Sequence, residues 1–436
     1  MATRLKVSRS NLVLGAYIVT GLVCLGMSIA AAGRTQLEWT NVYVPAGARL
    51  LSSESLYLDG GPFCYPPFTA LVAVPFVRLP MWVSNMVFQL ISFAAMILFI
   101  RTSWQLSGGG RLPEEGDKLQ REIWIAMLAL VCAFRFSSNA LAHGQSDLLI
   151  GLLVVLGATA FVNGSSALVG ICWGFGAAFK GPPLLLALYL VWRGRVAATV
   201  TMLAVFFAAN LLPDAIHHAP SGKFWLTVWF ERYFEPFFGQ GHVPGMWFGE
   251  FKDNESIAGV IGRWFSTSFT IRGKELFLAW RANAPNPDVL KVIVYGSYGL
   301  LAIGSAIVMW PPFRQLKSRF HRASGVDRSE RFRSVYEVAI SLCLVPLVSP
   351  MSSRSHFCVL LLPAMCLARV AVERRDGIAR ASLFTAIVLS LISSNIPPLK
   401  LVHQITLYLG SATATALSLL IGCGWVRWTL EQRSPS

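Results

Sequence analysis

Apolar runs long enough to cross a lipid bilayer recur along most of the chain, and they limit what it can fold into. A transmembrane helix needs about 20 consecutive, mainly apolar residues. Here 54% of the 436 residues are hydrophobic and 14% are charged, whereas soluble domains carry about 25% charged residues. The sequence therefore predicts an all-α, polytopic membrane protein. Because no long polar block stands apart, residues 1–436 are expected to form a single integral membrane domain.

Basic residues are concentrated in the short segments that separate the apolar runs. The formal net charge is +15, and the most basic segment covers residues 313–334. Cytoplasmic loops of membrane proteins carry an excess of Lys and Arg, so the charge indicates membrane topology and not nucleic-acid binding. The eight cysteines include no CxxC pair and lie mostly within apolar runs. Neither a disulfide framework nor a zinc site is therefore expected.

The apolar runs predict about twelve membrane spans, with both ends of the chain in the cytoplasm. Residues 11–32 follow a short basic segment and are expected to remain as an uncleaved first span. Two shorter runs, Val42–Leu51 and Phe68–Phe76, are expected to lie along the outer face as interfacial helices. In an alternative count, residues 68–76 cross the membrane and residues 166–192 form one span. The preferred spans are 11–32, 81–104, 122–134, 148–163, 166–179, 184–192, 196–213, 289–310, 335–349, 357–372, 381–396 and 402–425.

The twelve-span topology places the polar motifs on one face, in the outer loops 33–80 and 214–288 and at neighbouring helix ends. Polar and ionisable groups at a membrane boundary are costly, so they mark functional sites more often than chance would. Singly, each has a structural explanation. The Lys180 ammonium could extend to the interface, Asp147 could cap a helix, and His356 could cap the start of a span. The first outer loop could be an ordinary solvated loop with interfacial aromatic residues.

Together these residues predict transfer of a sugar from a phosphate-linked donor. In such a reaction a carboxylate deprotonates the attacking hydroxyl group, and nearby cations stabilise the departing phosphate. Aromatic rings beside the carboxylate could stack on sugar faces. Proline pairs at residues 66–67, 182–183 and 397–398 suggest helices that are broken around a cavity, where irregular backbone is tolerated.

The order of the motifs resembles glycosyltransferase family 87, a group of C-type membrane transferases that use polyprenyl-phosphate sugars. The resemblance begins in the acidic, aromatic first loop and extends to about residue 365. It includes the tripeptide Tyr65-Pro66-Pro67, the dipeptide Gly144-Gln145, the sequence KGPP from Lys180, the tripeptide Asn254-Glu255-Ser256 followed by Arg263, and the segment SPMSSRSH that ends at His356. The resemblance implies a C-type glycosyltransferase-like bundle.

The resemblance also implies roles for individual residues. Family members use an aspartate of the first outer loop as catalytic base. Here the nearest acid is Glu38, although anchoring on Val42-Tyr43 would place Trp39 there; Asp59 and Asp147 are the alternative bases. Either Ser355 or His356 could match the family histidine, and His356 is preferred. The expected phosphate-binding residues are Lys180, Arg263, Arg354 and His356, and the expected substrate-binding residues are Tyr43, Tyr65, Gln145, Asp147 and Asn254.

The predicted protein is an inverting glycosyltransferase of the bacterial inner membrane. It would transfer a hexosyl group, expected to be mannosyl, from a polyprenyl-phosphate sugar to a lipid or glycan hydroxyl on the extracytoplasmic face. The aromatic loop 214–288 would form an acceptor cleft or lid. No acidic cluster shows metal-ligand spacing, and Mg²⁺ or Mn²⁺ could still take part. The alternatives are a transporter or lipid flippase, although no repeat is apparent, and a polysaccharide polymerase or ligase.

Overall fold

The structure of the protein is a computed structural model. It does not describe most of the predicted first span (11–32), nor residues 236–252 of the aromatic outer loop. The described residues are 26, 29–30, 33–59, 61–235, 253–266, 269–271, 274–276, 286–311, 328–392 and 400–432.

The described chain is built from 16 α-helices and one short antiparallel hairpin of β1 (Phe269–Ile271) and β2 (Lys274–Leu276). A π-helical turn, Trp39–Tyr43, precedes the first helix, and 3₁₀ segments occupy Pro182–Leu185 and Arg354–Leu360. In chain order the helices are α1 Val44–Leu51, α2 Pro67–Ala73, α3 Met81–Leu106, α4 Asp117–His143, α5 Asp147–Val162, α6 Ser166–Phe179, α7 Leu186–Trp192, α8 Val196–Leu211, α9 Trp225–Tyr233, α10 Ile257–Ser266, α11 Pro287–Val308, α12 Arg328–Val348, α13 Leu361–Glu373, α14 Gly377–Ile392, α15 Lys400–Leu409 and α16 Ser411–Gln432.

Several of these helices are long and apolar enough to cross a membrane, which confirms a multi-pass helical membrane protein. Among the described residues, five stretches qualify: Met81–Leu106, Asp117–His143, Val196–Ala215, Asp288–Val308 and Arg354–Glu373. A sixth span would be the pair Leu401–Leu409 and Ser411–Leu430, which is bent by 58° at its break. Further apolar helices are shorter, at 10–17 residues. The finer count of about twelve spans stays a prediction.

The helix α4 is longer than the sequence predicted. A span over residues 122–134 was expected, with a loop from Arg135 to His143, but one helix of 27 residues runs from Asp117 to His143. The polar stretch remains helical because a helix satisfies its own backbone hydrogen bonds where water is scarce. The helix ends at Gly144, whose φ of 63° lies in the left-handed region that glycine adopts without strain.

The predicted break near Lys180 is present. Helix α6 ends at Phe179, Lys180 is extended, and Pro182 and Pro183 begin a 3₁₀ turn that leads into α7. Proline lacks an amide hydrogen and clashes with the preceding helical turn, so the helix cannot continue through this segment. The two short apolar runs of the first outer loop also form short helices, α1 and α2, as predicted.

Close packing between α6 and α8 holds the Lys180 segment in place. A Cβ atom added at Gly170 would lie 2.8 Å from the Ala198 carbonyl oxygen, and one added at Gly174 would lie 2.8 Å from the Met202 carbonyl oxygen. Small residues four apart let two helices approach at backbone distance. The end of α6, and with it Lys180, is therefore fixed against α8.

A buried ion cluster joins three helices at the other end of the bundle. The Glu337 carboxylate of α12 lies 2.5 Å from Arg193 Nη2 and 2.8 Å from Arg427 Nε. Arg193 also donates to the carbonyl oxygens of Met309 and Pro311, at 2.7 and 2.6 Å. The two guanidinium groups therefore bind both a carboxylate and the carbonyl groups beyond the end of α11.

Candidate active site

Glu38 lies directly before the π-helical turn and is only partly buried. Its two carboxylate oxygens accept hydrogen bonds from the Tyr65 hydroxyl group and from the Gln145 side-chain amide. Leu37 and Trp39, its neighbours in sequence, are both buried. They anchor the chain on either side and leave the carboxylate between them at the edge of the core.

Trp39, at the position given by the alternative alignment, is a packing residue. Its indole stacks on Phe88, with ring centroids 4.0 Å apart and planes 9° apart. The indole N–H donates to Ser84 Oγ at 3.0 Å. Because the indole nitrogen is a donor only, Trp39 cannot accept a proton, and its ring serves to pack this turn against helix α3.

Asp147, Lys180 and His356 meet in a second group of side chains. Lys180 Nζ donates to Asp147 Oδ2 at 2.8 Å, and both side chains are nearly inaccessible, at 2% and 4%. His356 Nε2 lies 3.9 Å from Asp147 Oδ1. Lys180 and His356 were predicted to lie together, and the structure places both against the same carboxylate.

His356 is oriented by the segment that carries it. Ser353 donates its backbone N–H to His356 Nδ1 at 2.9 Å, and the Ser353 hydroxyl lies at the same distance. The Nδ1 atom therefore accepts a hydrogen bond, which leaves Nε2 to carry the ring proton in the neutral tautomer. That nitrogen is the one that faces Asp147.

Tyr65 connects Glu38 to the Lys180 pair. Its hydroxyl group contacts Glu38, while Lys180 Nζ lies 5.0 Å from the centroid of its ring. Burial, reinforced by the Glu38 carboxylate, raises the pKa of Tyr65 well above its ordinary value. The hydroxyl group therefore keeps its proton and is the donor to Glu38.

Tyr43 supports this arrangement from the other side. Its ring stacks on Tyr65 at a centroid distance of 4.8 Å, and its hydroxyl lies 3.5 Å from Ser146 Oγ. Gln145 and Asp147, on either side of Ser146, contact Glu38 and Lys180 respectively. The start of α5 thus binds both parts of the site, which form one continuous network.

Arg354 and Glu255 form a separate buried pair near the break between α15 and α16. Arg354 Nε lies 3.4 Å from Glu255 Oε1, and the Ala412 N–H donates to Glu255 Oε2 at 3.1 Å. Burial raises the pKa of Glu255, and Arg354 opposes that effect. Arg354 Nη2 is buried and has no hydrogen-bond partner among the described residues. One edge of this guanidinium group is therefore free to bind a ligand.

Asn254 and Arg263, two of the predicted site residues, form hydrogen bonds to backbone groups. Asn254 Oδ1 accepts from the Ser352 N–H at 3.1 Å, and its Nδ2 donates to the Pro350 carbonyl oxygen at 3.2 Å. Arg263 donates to the carbonyl oxygens of Asn254 and Leu407. Both residues hold the SPMSSRSH segment and α15 together, and their direct contact with substrate stays a prediction.

The structure thus brings seven of the ten predicted site residues into one network, and it reveals partners that the sequence did not identify. The network holds Glu38, Tyr43, Tyr65, Gln145, Asp147, Lys180 and His356. Asn139, inside the unexpected extension of α4, donates from Nδ2 to Ser355 Oγ at 2.8 Å. The sequence assigned no role to Glu255 beyond its place in the tripeptide Asn254-Glu255-Ser256. Its position as an acid between two polar residues is the only sequence feature that indicates a buried, paired carboxylate.

No group of three or more His, Cys, Asp or Glu side chains that could hold a metal ion occurs within the described part of the chain. Mg²⁺ is commonly bound through one or two carboxylates together with substrate phosphate oxygens, a mode that needs no such cluster.

A helical bundle with several helices long and apolar enough to cross a membrane, and with ionisable side chains gathered at helix breaks, defines a multi-pass membrane protein with a buried polar network. Residues 63–350 match the model of glycosyltransferase family 87, and the chain belongs to this family. The matched segment holds Tyr65, Gln145, Asp147 and Lys180, whereas Glu38 lies 25 residues before it and His356 six residues after it.

The chain is also similar to two curated mycobacterial proteins. A polyprenol-phosphate-mannose-dependent α-(1-2)-phosphatidylinositol mannoside mannosyltransferase of Mycobacterium tuberculosis is 26% identical over 379 residues, which cover 85% of this chain and 74% of the relative. A polyprenol-phosphate-mannose-dependent α-(1-2)-phosphatidylinositol pentamannoside mannosyltransferase of Mycolicibacterium smegmatis is 29% identical over 255 residues, covering 55% of this chain and 56% of the relative. No solved structure matches the chain.

Proposed function

We propose that this protein transfers a hexosyl group, most simply a mannosyl group, from a polyprenyl-phosphate sugar to a hydroxyl group of a lipid or glycan acceptor. The reaction takes place on the extracytoplasmic face of a bacterial inner membrane. The donor class is that named for the mycobacterial relatives. The observation that carries the proposal is the position of Glu38, a partly exposed carboxylate joined through Tyr65 to a buried ammonium group.

Glu38 suits the role of general base better than Asp147, Asp59 or Glu255. The Asp59 side chain is fully exposed and pairs with Arg232 at 2.9 Å. Asp147 is buried against Lys180, and Glu255 is buried against Arg354. Glu38 accepts hydrogen bonds from two neutral groups, and each carboxylate oxygen keeps a second lone pair for the hydroxyl group of an acceptor. A base needs that access to the proton it removes.

In the proposed reaction the acceptor oxygen attacks the anomeric carbon while its proton passes to Glu38. A bond forms between the acceptor oxygen and that carbon, and the bond between the carbon and the donor phosphate oxygen breaks. The polyprenyl phosphate leaves with the bonding electron pair. Attack from the face opposite the leaving group inverts the configuration at the anomeric carbon.

The leaving phosphate would be stabilised by Lys180 and His356, with Arg354 two residues before His356 on the same 3₁₀ segment. An ammonium group has three donors, and only one of those on Lys180 is directed to Asp147. Arg354 offers the unpartnered Nη2 atom. Arg263 supports this wall by holding the backbone near Asn254. The developing negative charge would then meet fixed cations in a site of low dielectric constant.

Substrate access follows from the membrane setting. The polyprenyl chain would enter sideways from the bilayer, and the aromatic outer loop 214–288 would cover the acceptor. Within that loop Trp229 donates its indole N–H to the Cys64 carbonyl oxygen at 3.0 Å, one residue before Tyr65. The described part of the loop thus lies against the segment that carries the site.

The test replaces Glu38 with Gln and measures transfer from labelled polyprenyl-phosphate mannose to native lipid extract. The amide keeps the shape of the side chain but cannot take the proton, so we expect a loss of about 10²–10⁴-fold in rate with donor affinity retained. Glu54→Gln, at an exposed acid of the same outer loop, is the matched control and should stay fully active. Full activity of Glu38→Gln would refute the assignment of the base. Absence of transfer with every polyprenyl-phosphate hexose tested would refute the proposed function itself.

A further inference from the structure

A groove lies at the end of the bundle opposite the candidate active site. It has a volume of about 650 Å³ and runs between helix α4 and the corner where α13 meets α14. Asp117, at the start of α4, lines it, whereas the far end of this 27-residue helix leads to Gln145. At 1.5 Å per residue the helix places the rim of the groove, at Asp117, about 40 Å from the site. The two features therefore belong to opposite membrane faces.

The rim of the groove carries three arginines, Arg121, Arg375 and Arg380, all of them exposed. Arg121 Nε contacts the Asp117 carbonyl oxygen at 3.4 Å, and Arg380 Nε donates to the Ala371 carbonyl oxygen at 2.9 Å. Within the described chain none of the three pairs with a carboxylate. Glu373, which also lines the groove, is bound to Arg369 at 2.7 Å. The residues that line the groove carry a net positive charge.

Below the rim the wall is apolar. Leu128 lies seven residues after Arg121 on α4, and Ile387 lies seven residues after Arg380 on α14, so each is about 10 Å deeper along its helix. Leu383 and Phe384 complete this wall. Phe384 is 69% exposed, a large apolar surface that faces lipid. The groove is thus cationic at its rim and apolar deeper along the helices. A phospholipid has the same arrangement, with a charged headgroup above an apolar acyl chain.

We propose that this groove binds an anionic phospholipid of the adjoining leaflet. The headgroup phosphate lies among the three guanidinium groups, which suit phosphate oxygens through paired N–H donors, and an acyl chain lies along the apolar wall. Basic pockets between transmembrane helices are a recurring way to hold anionic headgroups. A zwitterionic headgroup brings its own cation to the arginines and binds less tightly. This site is independent of the proposed sugar transfer.

The test is native mass spectrometry of the full chain in a neutral detergent, titrated with phosphatidylglycerol and with phosphatidylcholine of the same acyl chains. One phosphatidylglycerol should bind at least about tenfold more tightly than phosphatidylcholine, because the three arginines attract its net negative charge. Replacing Arg121, Arg375 and Arg380 with Gln should remove this preference. Phe384→Ala should weaken both lipids.

The matched control replaces three other exposed arginines, Arg101, Arg111 and Arg331, with Gln. It removes the same charge outside the groove and should keep the preference. Equal binding of the two lipids by the unmodified protein would overturn the proposal. A loss of the phosphatidylglycerol preference in the control as large as that in the groove variant would also overturn it. Displacement of phosphatidylglycerol by glycerol 3-phosphate at matched concentration would assign the rim to a soluble phosphate and refute the lipid. If the triple variant unfolds, Arg375→Gln and Arg380→Gln singly must each reduce the preference.

Discussion

At the scale of single residues, three carboxylates of one membrane face differ in their surroundings, and those surroundings separate their roles. Glu38 is partly exposed and accepts from neutral donors. Asp147 is buried with Lys180, and Glu255 is buried with Arg354. Two of the three pair with buried cations, which supports the proposal that Glu38 accepts the proton.

We predict that Asp147→Asn destabilises the protein and weakens donor binding. The change leaves the Lys180 ammonium buried without its partner, and loss of one member of a buried ion pair typically costs about 3–5 kcal/mol. Thermal unfolding and donor affinity measure the two effects. Asp117→Asn is the control, because Asp117 also begins a helix but is exposed. Equal stability of the two variants would contradict a positioning role for Asp147.

A second residue-scale prediction concerns Tyr65→Phe. The ring over Lys180 remains, but Glu38 loses a hydrogen-bond donor. Hydrogen bonds to charged groups are worth about 1.5–3 kcal/mol, so we expect the turnover rate to fall about 10- to 100-fold with donor affinity little changed. Tyr233→Phe removes a hydroxyl that donates to the Phe63 carbonyl oxygen at 2.9 Å and serves as the control. A similar loss of turnover in both variants would point to folding and not to Glu38.

At the scale of helices, breaks bring the site residues to one place. Lys180 lies where α6 gives way to α7, and His356 lies on a 3₁₀ segment that leads into α13. The break between α15 and α16 presents the Ala412 N–H to Glu255. In a continuous helix the Ala412 N–H would bond to a carbonyl oxygen one turn earlier and could not donate to Glu255.

We predict that Gly410→Ala lowers the stability of the protein. Gly410 has a φ of 79°, and a Cβ atom there would lie 3.0 Å from Val260 Cγ1 and closer still to Cγ2. The left-handed backbone alone costs a residue with a side chain about 1–2 kcal/mol, and the overlap adds to that. Thermal unfolding in detergent measures the loss. Gly424→Ala, where the nearest atom is 3.9 Å away, should have little effect, and equal melting of the two variants would argue against a strained break.

At the scale of the whole molecule, the candidate site and the arginine-rimmed groove occupy opposite ends of the bundle. The Glu337 ion cluster and the Arg369 network, in which Arg369 binds both Glu122 and Glu373, lie away from the site. Positive charge at that end agrees with a cytoplasmic assignment. The site end would then face the extracytoplasmic space.

This orientation predicts which loops an impermeant thiol reagent can reach on intact cells. In a background without native cysteines, Ser221→Cys, in the exposed turn before α9, should be labelled. Arg111→Cys, between α3 and α4, should be labelled only after the cells are opened. Cysteines placed elsewhere in residues 106–121 or in residues 311–334 should likewise be labelled only after the cells are opened. Cysteines placed in residues 214–288 should be labelled on intact cells. Labelling of Arg111→Cys on intact cells would reverse the orientation.

The sequence by itself determined the class of the protein, the family resemblance and the helix break at Lys180. It predicted one continuous span over residues 402–425, whereas the structure has a 58° bend between Leu409 and Ser411. Apolar runs and prolines act over a few residues, because a helix forms its hydrogen bonds within one segment. Lys180 and His356 could therefore be assigned to the same face from their positions at helix ends. The same local reasoning ended the third predicted span too early, since average polarity does not show that a helix continues inside a protein core.

Only the tertiary structure decided what each charged group contacts. Gln145 reaches Glu38 across 107 positions of sequence, and Arg354 reaches Glu255 across 99. No local pattern distinguishes an acid that is neutralised by a buried cation from one that is held by neutral donors. That distinction separates Asp147 from Glu38, and it depends on how distant helices pack, because burial and distance set the strength of each electrostatic interaction.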